Sequence, residues 1–587
     1  MSGMRFGATL DDIGVTFRIC APAAKRVDVM LDRAHTMQPQ PEGWFELMVP
    51  GARAGTRYKY RIDGEVEVPD PASHYQPDDV FGPSEVIDHD QFRWQTNAWR
   101  GRPWSDSVFL ELHLGTFTPG GTFRSAIDKL DHLVDTGITA IELMPLADFA
   151  GRRNWGYDGV LWYAPDSAYG HPDDLRALVD AAHVRGLMVL LDVVYNHFGP
   201  EGNYLHRYAP TFFGSAHTPW GQAIDYGVPQ VRAFAVENAL HWLQRYRFDG
   251  LRIDAVHAIV EPGQSALLAD LSRVVGHLAT ATGRKIHLVL ENDDNRAGLL
   301  DPLADPPQGK YRAQWNDDAH HAFHVLLTGE SKGYYRDYTD DPVRHIARVL
   351  SSGFDYQGEA SPHRGGRRRG ESSASLSPLA FVNFLQNHDQ IGNRPLGDRL
   401  TASVDERKLA AALAIVLLAP SPPLLFMGEG WGSRKPFPFF CDFKGALADA
   451  VRQGRRREFR QAYATMGDEI PDPLLKETFD SAVLDWNELT TPAGRSRLAL
   501  VRDLLTARRR EITPHLSTAT FAVARHEHNV LTASWRLAEG QLLMLLANLS
   551  DDAADSALPS QPGRPIWGDE PGTMLPPWSV FWSIGEA

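Results

Sequence analysis

The feature that most constrains the fold is an alternation of short apolar runs with helical patterns over residues 91–510. Strands that alternate with helices predict a parallel sheet with crossover connections. About eight such units over about 400 residues predict a closed (β/α)8 barrel rather than an open sheet. The predicted strands are 109–114, 138–144, 187–194, 251–253, 286–290, 314–316, 381–385 and 424–427.

The two ends of the chain have a different pattern of apolar and polar residues from the middle. Residues 1–90 alternate apolar and polar side chains with period two between turn-forming residues, which predicts an antiparallel, immunoglobulin-like β-sandwich. Separately from this pattern, the region resembles a carbohydrate-binding module. Residues 511–587 return to short strands and predict a small β-domain. The stretch 358–378 is rich in Gly, Ser and Arg, and we expect a solvated, mobile loop there, with phosphate binding by its arginines as the alternative.

Composition limits the partners and the compartment. A chain of 587 residues exceeds the size of a single core, so three domains are expected. The formal charge of −15 argues against nucleic acid and anionic membranes, whereas a neutral small-molecule substrate remains open. Only Cys20 and Cys441 are present, and we find neither a leader-like segment nor a long apolar stretch. We therefore expect a cytoplasmic protein.

Polar residues gather where the predicted barrel strands end. In a (β/α)8 barrel these ends converge on one mouth, where the chemistry takes place. A single acid after a strand is often a turn former or a helix cap, but several together are harder to explain in that way. The residues concerned are Asp192, Asn196 and His197 after the third strand, Arg252, Asp254 and His257 after the fourth, Glu291 after the fifth, and Asn387, His388 and Asp389 after the seventh.

Three of these acids suit glycoside hydrolysis. Asp254, Glu291 and Asp389 each follow an apolar run directly. One carboxylate can attack the anomeric carbon while a second, kept protonated, donates to the leaving oxygen. Arg252 lies two residues before Asp254, hence on the same side of the strand, where it can keep that acid ionised.

The stretches "DVVYNH", "GLRIDAVHA", "LEND" and "FLQNHDQ" occur in this order and resemble the conserved regions of the α-amylase family of glycosidases. The resemblance covers most of residues 90–510. It implies that Asp254 is the nucleophile, Glu291 the general acid/base, and Asp389 the acid that grips sugar hydroxyls and stabilises the transition state. It further implies substrate-binding or supporting roles for Tyr157, His197, Arg252, Asn387 and His388, with Asp192 orienting Arg252.

Further stretches of the chain resemble one subfamily of these glycosidases in particular. The stretches 69–88, 314–330 and 423–433 are similar to a subfamily that cuts the α-1,4 bond beside the terminal trehalose of maltooligosyl trehalose. His257 stands where many amylases have lysine, which implies altered contacts to the leaving sugar. Gly430 departs from a more common second acid. The alternatives are a 1,4-α-glucan branching enzyme or α-amylase, and a non-catalytic glucan-binding member of the fold.

Other polar and aromatic residues have weaker signals. "NDDAHH", which contains Asp317, could supply metal ligands, but its spacing lacks a zinc pattern and the resemblance favours a lining of the substrate cleft. The segment 198–225 is short for a calcium-binding excursion, so no metal and no cofactor are predicted. At most two of Trp155, Trp162, Trp220 and Trp315 are expected to stack on glucose. Among them, Trp155 is predicted to bind the substrate.

Overall fold

The computed structural model describes residues 4–260, 266–556 and 563–586. Its centre is a closed barrel of eight parallel strands, in which each strand pairs with its neighbours in chain order and the first closes on the last. The predicted barrel is therefore confirmed, including its sixth strand. The strands are β1 Phe109–Leu112, β2 Ala140–Leu143, β3 Met188–Val193, β4 Gly250–Ile253, β5 His287–Leu290, β6 Ala313–Trp315, β7 Phe381–Phe384 and β8 Pro423–Phe426.

The barrel strands are buried on both faces, because their side chains meet the barrel interior on one side and helices on the other. The principal surrounding helices are α1 Leu130–Thr136, α2 Pro172–Val184, α3 Pro229–Arg245, α4 Ala266–Thr282, α5 Asp317–Thr328, α6 Pro342–Ser352, α7 Glu406–Leu418 and α8 Pro492–Ala507.

Helix α2 shows how the sequence sets local structure. His171 caps its first turn by accepting from Asp173 N, and Pro172 occupies the first position, where its missing N–H costs nothing. Leu175, Leu178 and Val179 are buried against the barrel, as the helical spacing predicts.

One barrel unit lacks its α-helix. Residues 291–312, all described, connect β5 to β6 through a single short 3-10 helix, Ala297–Leu299. The connection after β6 instead carries both α5 and α6. The loop after β5 is thereby free to shape the barrel mouth instead of covering the outside of the sheet.

The N-terminal region contains two antiparallel sheets, and the predicted sandwich is confirmed. One sheet holds Thr9–Leu10, Gly14–Cys20, Trp44–Pro50 and Gln38–Gln40. The other holds Ala34–Thr36, Val27–Met30, Arg57–Ile62, Val66–Val68 and Ser84–Glu85. Phe17 and Tyr58 meet between them with ring centroids 4.8 Å apart, so aromatic packing joins the sheets.

The C-terminal region is the predicted small β-domain. Its main sheet has five antiparallel strands, and two further strands form a short ladder. The main-sheet strands are Val523–Glu527, Val530–Arg536, Gln541–Asn548, Val580–Glu586 and Arg564–Trp567; the ladder strands are Ala554–Asp555 and Met574–Leu575. We propose 1–90, 91–510 and 511–587 as the three domains.

The arginine-rich stretch differs from its expectation. Arg369 is buried and lies 2.7 Å from Asp318, and Arg364 forms an ion pair with Asp294 at 2.8 Å. Of the arginines in this stretch, Arg367 and Arg368 are exposed. The prediction of a solvated loop was wrong for Arg369, because Asp318, which pairs with it, comes from a distant part of the chain. Among the described residues, no helix combines the length and the apolar character needed to cross a membrane.

Candidate active site

Arg252 organises the end of β4. Its Nη1 lies 2.7 Å from Asp192 Oδ2 on β3 and 2.8 Å from Asp254 Oδ1. Asp192 and Arg252 have side chains only 2% and 1% exposed, whereas the side chain of Asp254 is 12% exposed. Of the two carboxylates that Arg252 holds, Asp254 is therefore the one that a ligand can reach.

Glu291, at the end of β5, meets the same arginine. Its Oε2 lies 3.3 Å from Arg252 Nη2 and accepts the Ala255 N–H at 2.7 Å. Ala255 has φ 41°, a left-handed conformation that is strained for a residue with a Cβ. The turn after Asp254 thus directs a backbone donor at Glu291, whose side chain is 21% exposed.

Asp389 follows β7 at the start of a short helix, His388–Gly392. Asn387 caps this helix by accepting from Asp389 N, and Asn393 donates to Asp389 Oδ1 at 2.7 Å. Burial raises the pKa of Asp389; His388 and Arg252 oppose this shift, and Glu291 adds to it. These electrostatic couplings link Asp389 to Glu291 and Arg252 across the barrel mouth.

His388 is tied to β1. Its ring Nδ1 pairs with Glu111, which also accepts the His388 backbone N–H at 3.1 Å. Burial lowers the pKa of His388, but Glu111 and Asp389 outweigh it and the net shift is upward. Tyr157 stacks on His388 with ring centroids 5.0 Å apart and donates its hydroxyl to Asp192 at 2.6 Å.

Gly156 explains how Tyr157 reaches this place. Its φ is 104°, and an added Cβ would lie 2.1 Å from the Pro145 carbonyl oxygen. No other residue fits such a close approach of two backbones. The "NWGYDG" motif therefore needs its first glycine to bring the tyrosine ring to the barrel mouth.

His197 and Asn196 form another side of the site. Asn196 donates to Asp254 Oδ2 at 3.3 Å, and His197 contacts the Tyr157 carbonyl at 2.9 Å. Trp220 stacks on His197, with ring centroids 4.9 Å apart and an interplanar angle of 5°, and is 49% exposed. Trp220 thus offers an open aromatic face beside the nucleophile candidate.

Asp317 and His257 lie on the β6 and β4 sides. Gln390 donates to Asp317 at 3.3 Å, and the pKa of Asp317 is raised well above its usual value by burial and by Glu291. The exposed His257 accepts the backbone N–H of Asp293, in the loop after β5. The structure thus places both residues beside the elements that carry Glu291 and Asp389.

Two predicted aromatics are packed into the walls. Trp155 is 5% exposed, stacks on Phe437 and donates to the Pro438 carbonyl at 3.2 Å. Trp315 lies beneath Arg252, whose guanidinium is 4.2 Å from its ring centroid. A substrate role for Trp155 stays a prediction. In the structure its ring packs edge-on against His388 and supports that ring.

Sequence reasoning missed two buried acids. Glu111 pairs with His388, and Glu142 on β2 has a pKa well above its usual value because of its burial, an effect that Arg252 opposes. The available signal was a carboxylate inside each of the apolar runs 109–114 and 138–144. A glutamate in a strand buried on both faces needs a partner, and a partner search would have pointed to the barrel interior.

A groove of about 1110 Å³ adjoins the acids. Gln390 and Asn393, the neighbours of Asp317 and Asp389, form part of its wall. The opposite wall comes from residues 329–335, 458–462 and 466, with Tyr334 and Phe459 as aromatic members. The groove therefore borders the candidate site through Gln390 and Asn393.

Family models match all three regions. The model for the catalytic domain of α-amylase matches residues 88–218, carbohydrate-binding module 48 (isoamylase N-terminal domain) matches 5–76, and a domain of unknown function, DUF3459, matches 519–582. A crystal structure described as an α-amylase from Salmonella typhimurium superimposes with a TM-score of 0.94, at 42% identity and full coverage of both chains. A maltotetraose complex of a pullulanase from Anoxybacillus shares the fold, with a TM-score of 0.71 at 17% identity.

Two curated relatives carry one name. Malto-oligosyltrehalose trehalohydrolase from Deinococcus radiodurans is 40% identical over 93% of this chain and 90% of its own length. The enzyme of that name from Saccharolobus solfataricus is 42% identical over 82% and 84%. A 1,4-alpha-glucan branching enzyme from Pseudoalteromonas atlantica is 34% identical over only 44% of this chain. The chain belongs to the malto-oligosyltrehalose trehalohydrolase family, within the α-amylase fold.

Proposed function

We propose that this protein is a retaining glycoside hydrolase that cleaves the α-1,4-glucosidic bond beside the terminal trehalose of maltooligosyl trehalose, releasing trehalose and a maltooligosaccharide. The family membership supports the substrate. The observation that carries the chemistry is the meeting of Asp254 and Glu291 on one buried guanidinium, Arg252, with both carboxylates open to the cleft.

In the first step Asp254 attacks the anomeric carbon of the glucose to be cleaved. The bond from C1 to the leaving oxygen breaks, and Glu291 gives its proton to that oxygen, which departs as O4 of trehalose. Arg252 and Asn196 hold Asp254 in position for the attack through contacts at 2.8 and 3.3 Å. The product of this step is a β-glycosyl ester of Asp254.

In the second step water attacks the same carbon from the side that trehalose has left. Glu291, now ionised, accepts the proton of this water, and the ester bond to Asp254 breaks. The sugar leaves with its α-configuration retained after two inversions. The Ala255 N–H, which donates to Glu291, holds this carboxylate in place for the proton transfer.

The remaining residues hold the substrate. Asp389, with His388 and Asn387, grips hydroxyls of the reacting glucose, while Tyr157 supplies an aromatic face. Burial and the nearby Glu291 raise the pKa of Asp317 well above its usual value, which favours a protonated carboxyl that can donate to a sugar hydroxyl. His257 and the groove beside Gln390 take the trehalose side of the substrate.

The proposed partners are maltooligosyl trehalose and related α-glucans, with neither nucleic acid nor a membrane. The chain carries a formal charge of −15, which repels polyanions. We propose a cytoplasmic location because both of its cysteines are free and buried, as suits a reducing compartment. Catalysis is proposed to need neither metal nor cofactor, since the three acids and water complete the reaction.

A branching enzyme is the second candidate, favoured by the partial relationship to the Pseudoalteromonas atlantica protein. The test is incubation of purified protein with maltotriosyl trehalose and, separately, with linear maltooligosaccharide, followed by sugar chromatography. We expect trehalose and maltotriose from the first and little product from the second. New α-1,6 branches would identify a transferase, and a preparation of Glu291→Gln made in the same way controls for host enzymes.

A further inference from the structure

Three histidines meet at the junction between the N-terminal region and the barrel, away from the catalytic acids. His74 and His89 belong to the segment that leads from the sandwich to the barrel, and His241 lies on α3. One nitrogen of each lies within 4.8 Å of the others. We propose that this triad binds one divalent transition-metal ion of the Zn²⁺ type, which fastens the N-terminal region to the barrel.

The ring arrangement supports this proposal. The ring centroids are 4.8 Å apart for His74 and His89, 4.6 Å for His74 and His241, and 5.5 Å for His89 and His241. Around one tetrahedral Zn²⁺ with Zn–N bonds of about 2.0–2.1 Å, imidazole centres lie roughly 5 Å apart. The three rings therefore already have the spacing of three ligands.

The nitrogens are close to ligating positions. Nε2 of His89 and Nδ1 of His74 are 3.0 Å apart, and tetrahedral ligation needs about 3.3 Å. His74 cannot turn its other side to the cluster freely, because Gly7 packs so closely on its Nε2 that an added Cβ would lie 2.7 Å away. Opening the His74–His89 contact by a few tenths of an ångström therefore makes room for the ion.

His241 is an independent sign of a missing partner. Its ring is fully buried, and neither ring nitrogen has a hydrogen bond of good geometry within the described residues. A buried imidazole whose ring nitrogens find no partner among the described residues needs one, and a metal ion shared with two neighbouring histidines supplies it.

The ligand types and the residues that contact them indicate which metal ions can bind. Arg176 contacts His89 Nδ1 and pairs with Asp173, and Arg245 lies 3.9 Å from Asp90. An arginine can only donate, so the Nδ1 of His89 that Arg176 contacts carries no proton and the ring is not doubly protonated. A ligand set of three imidazoles disfavours Mg²⁺ and Ca²⁺, which prefer oxygen ligands, and favours ions that prefer imidazole.

Metal entry also has a route. His74 and His89 are partly exposed, although His241 is not. Because Arg176 donates to His89 Nδ1, the one proton of the neutral His89 ring lies on Nε2, facing His74 Nδ1; metal binding releases this proton to solvent and leaves His89 bound as an imidazolate. Arg176 remains on the far side of His89, where it stabilises the ring that has lost this proton.

The test uses the full-length protein stripped with a chelator and dialysed. Titration with ZnCl₂ by calorimetry and with CoCl₂ by visible absorption should show one equivalent bound, and zinc X-ray absorption should show a nitrogen shell at about 2.0 Å with three imidazoles. Bound Zn²⁺ should also raise the melting temperature. His241→Gln and His74→Gln should each weaken binding at least about 100-fold.

The matched control is His277→Gln, an exposed histidine on α4, which should titrate like the wild type. Trehalose release and circular dichroism report whether each variant is folded. The proposal is overturned if the wild type takes up no stoichiometric metal, if its absorption spectrum shows fewer than three imidazoles, or if His241→Gln binds like the wild type.

Discussion

Arg252 Nη1 lies 2.8 Å from Asp254 Oδ1, and this contact connects the most buried cation of the site with its nucleophile candidate. We expect Arg252→Lys to lower kcat/KM by about 100-fold or more, since a lysine cannot reproduce the fork that also serves Asp192 and Glu291. In Arg252→Met, which leaves the buried Asp192 without a charge partner, the free energy of unfolding should fall by about 3–5 kcal/mol.

Kinetics and urea unfolding measure these two effects. Arg509→Lys, an exposed arginine outside the site, is the matched control and should change neither quantity. A wild-type kcat/KM in Arg252→Lys would contradict the proposed alignment of Asp254.

Glu291 provides the proton for the leaving group, so Glu291→Gln should lose several orders of magnitude in kcat on maltotriosyl trehalose while KM stays within a few-fold. A maltosyl fluoride substrate, whose leaving group needs no proton, should regain most of the first step. Burst kinetics on the fluoride measure this recovery. Exposed Glu477→Gln is the control, and equal losses on both substrates would remove Glu291 from the role of acid.

The pair of His388 and Glu111 predicts a pH dependence. Burial alone would lower the pKa of His388, but Glu111 and Asp389 raise this pKa by more than burial lowers it. The ring therefore stays charged at pH values above its ordinary pKa. That charge is lost as the pH rises through the folded pKa. Glu111→Gln should therefore lower the pKa of His388 and move the alkaline limb of the kcat/KM profile to lower pH. Histidine NMR and pH–rate profiles measure these shifts, and an unchanged limb would refute the coupling.

Asp70 in the N-terminal sandwich should make stability fall with rising pH. Burial raises its pKa to about 6, although the Tyr58 hydroxyl donates to it at 2.7 Å. An acid whose folded pKa is raised destabilises the folded state as the pH rises from its unfolded value of about 3.9 to its folded value. Between pH 4 and 7 the free energy of unfolding of the wild type should therefore fall by about 2 kcal/mol relative to Asp70→Asn. Urea titrations at several pH values measure the difference, and parallel curves would contradict it.

Trp220 offers an open face at the cleft, stacked on His197. Trp220→Ala should raise KM for maltooligosyl trehalose by about tenfold while kcat changes little, since stacking on a sugar is worth roughly 1–2 kcal/mol. Trp220→Phe should restore most of the loss. An equal fall in kcat would indicate that the ring positions His197 rather than substrate.

The sequence by itself determined the barrel and the acids at its strand ends. The period of the apolar residues and the order of strands and helices along the chain sufficed for this prediction. Strand–helix alternation favours a parallel barrel, and the strand termini of that barrel converge. Asp254 and Glu291 were predicted in this way, and both contact Arg252 in the structure.

Only the tertiary structure decided which distant groups become partners. Glu111 finds His388 across the barrel, Arg369 is buried on Asp318, and Trp155 turns into the wall. The three histidines of the junction meet from positions 74, 89 and 241. Burial and pairing depend on packing between segments far apart in the chain, and local patterns carry no record of that packing.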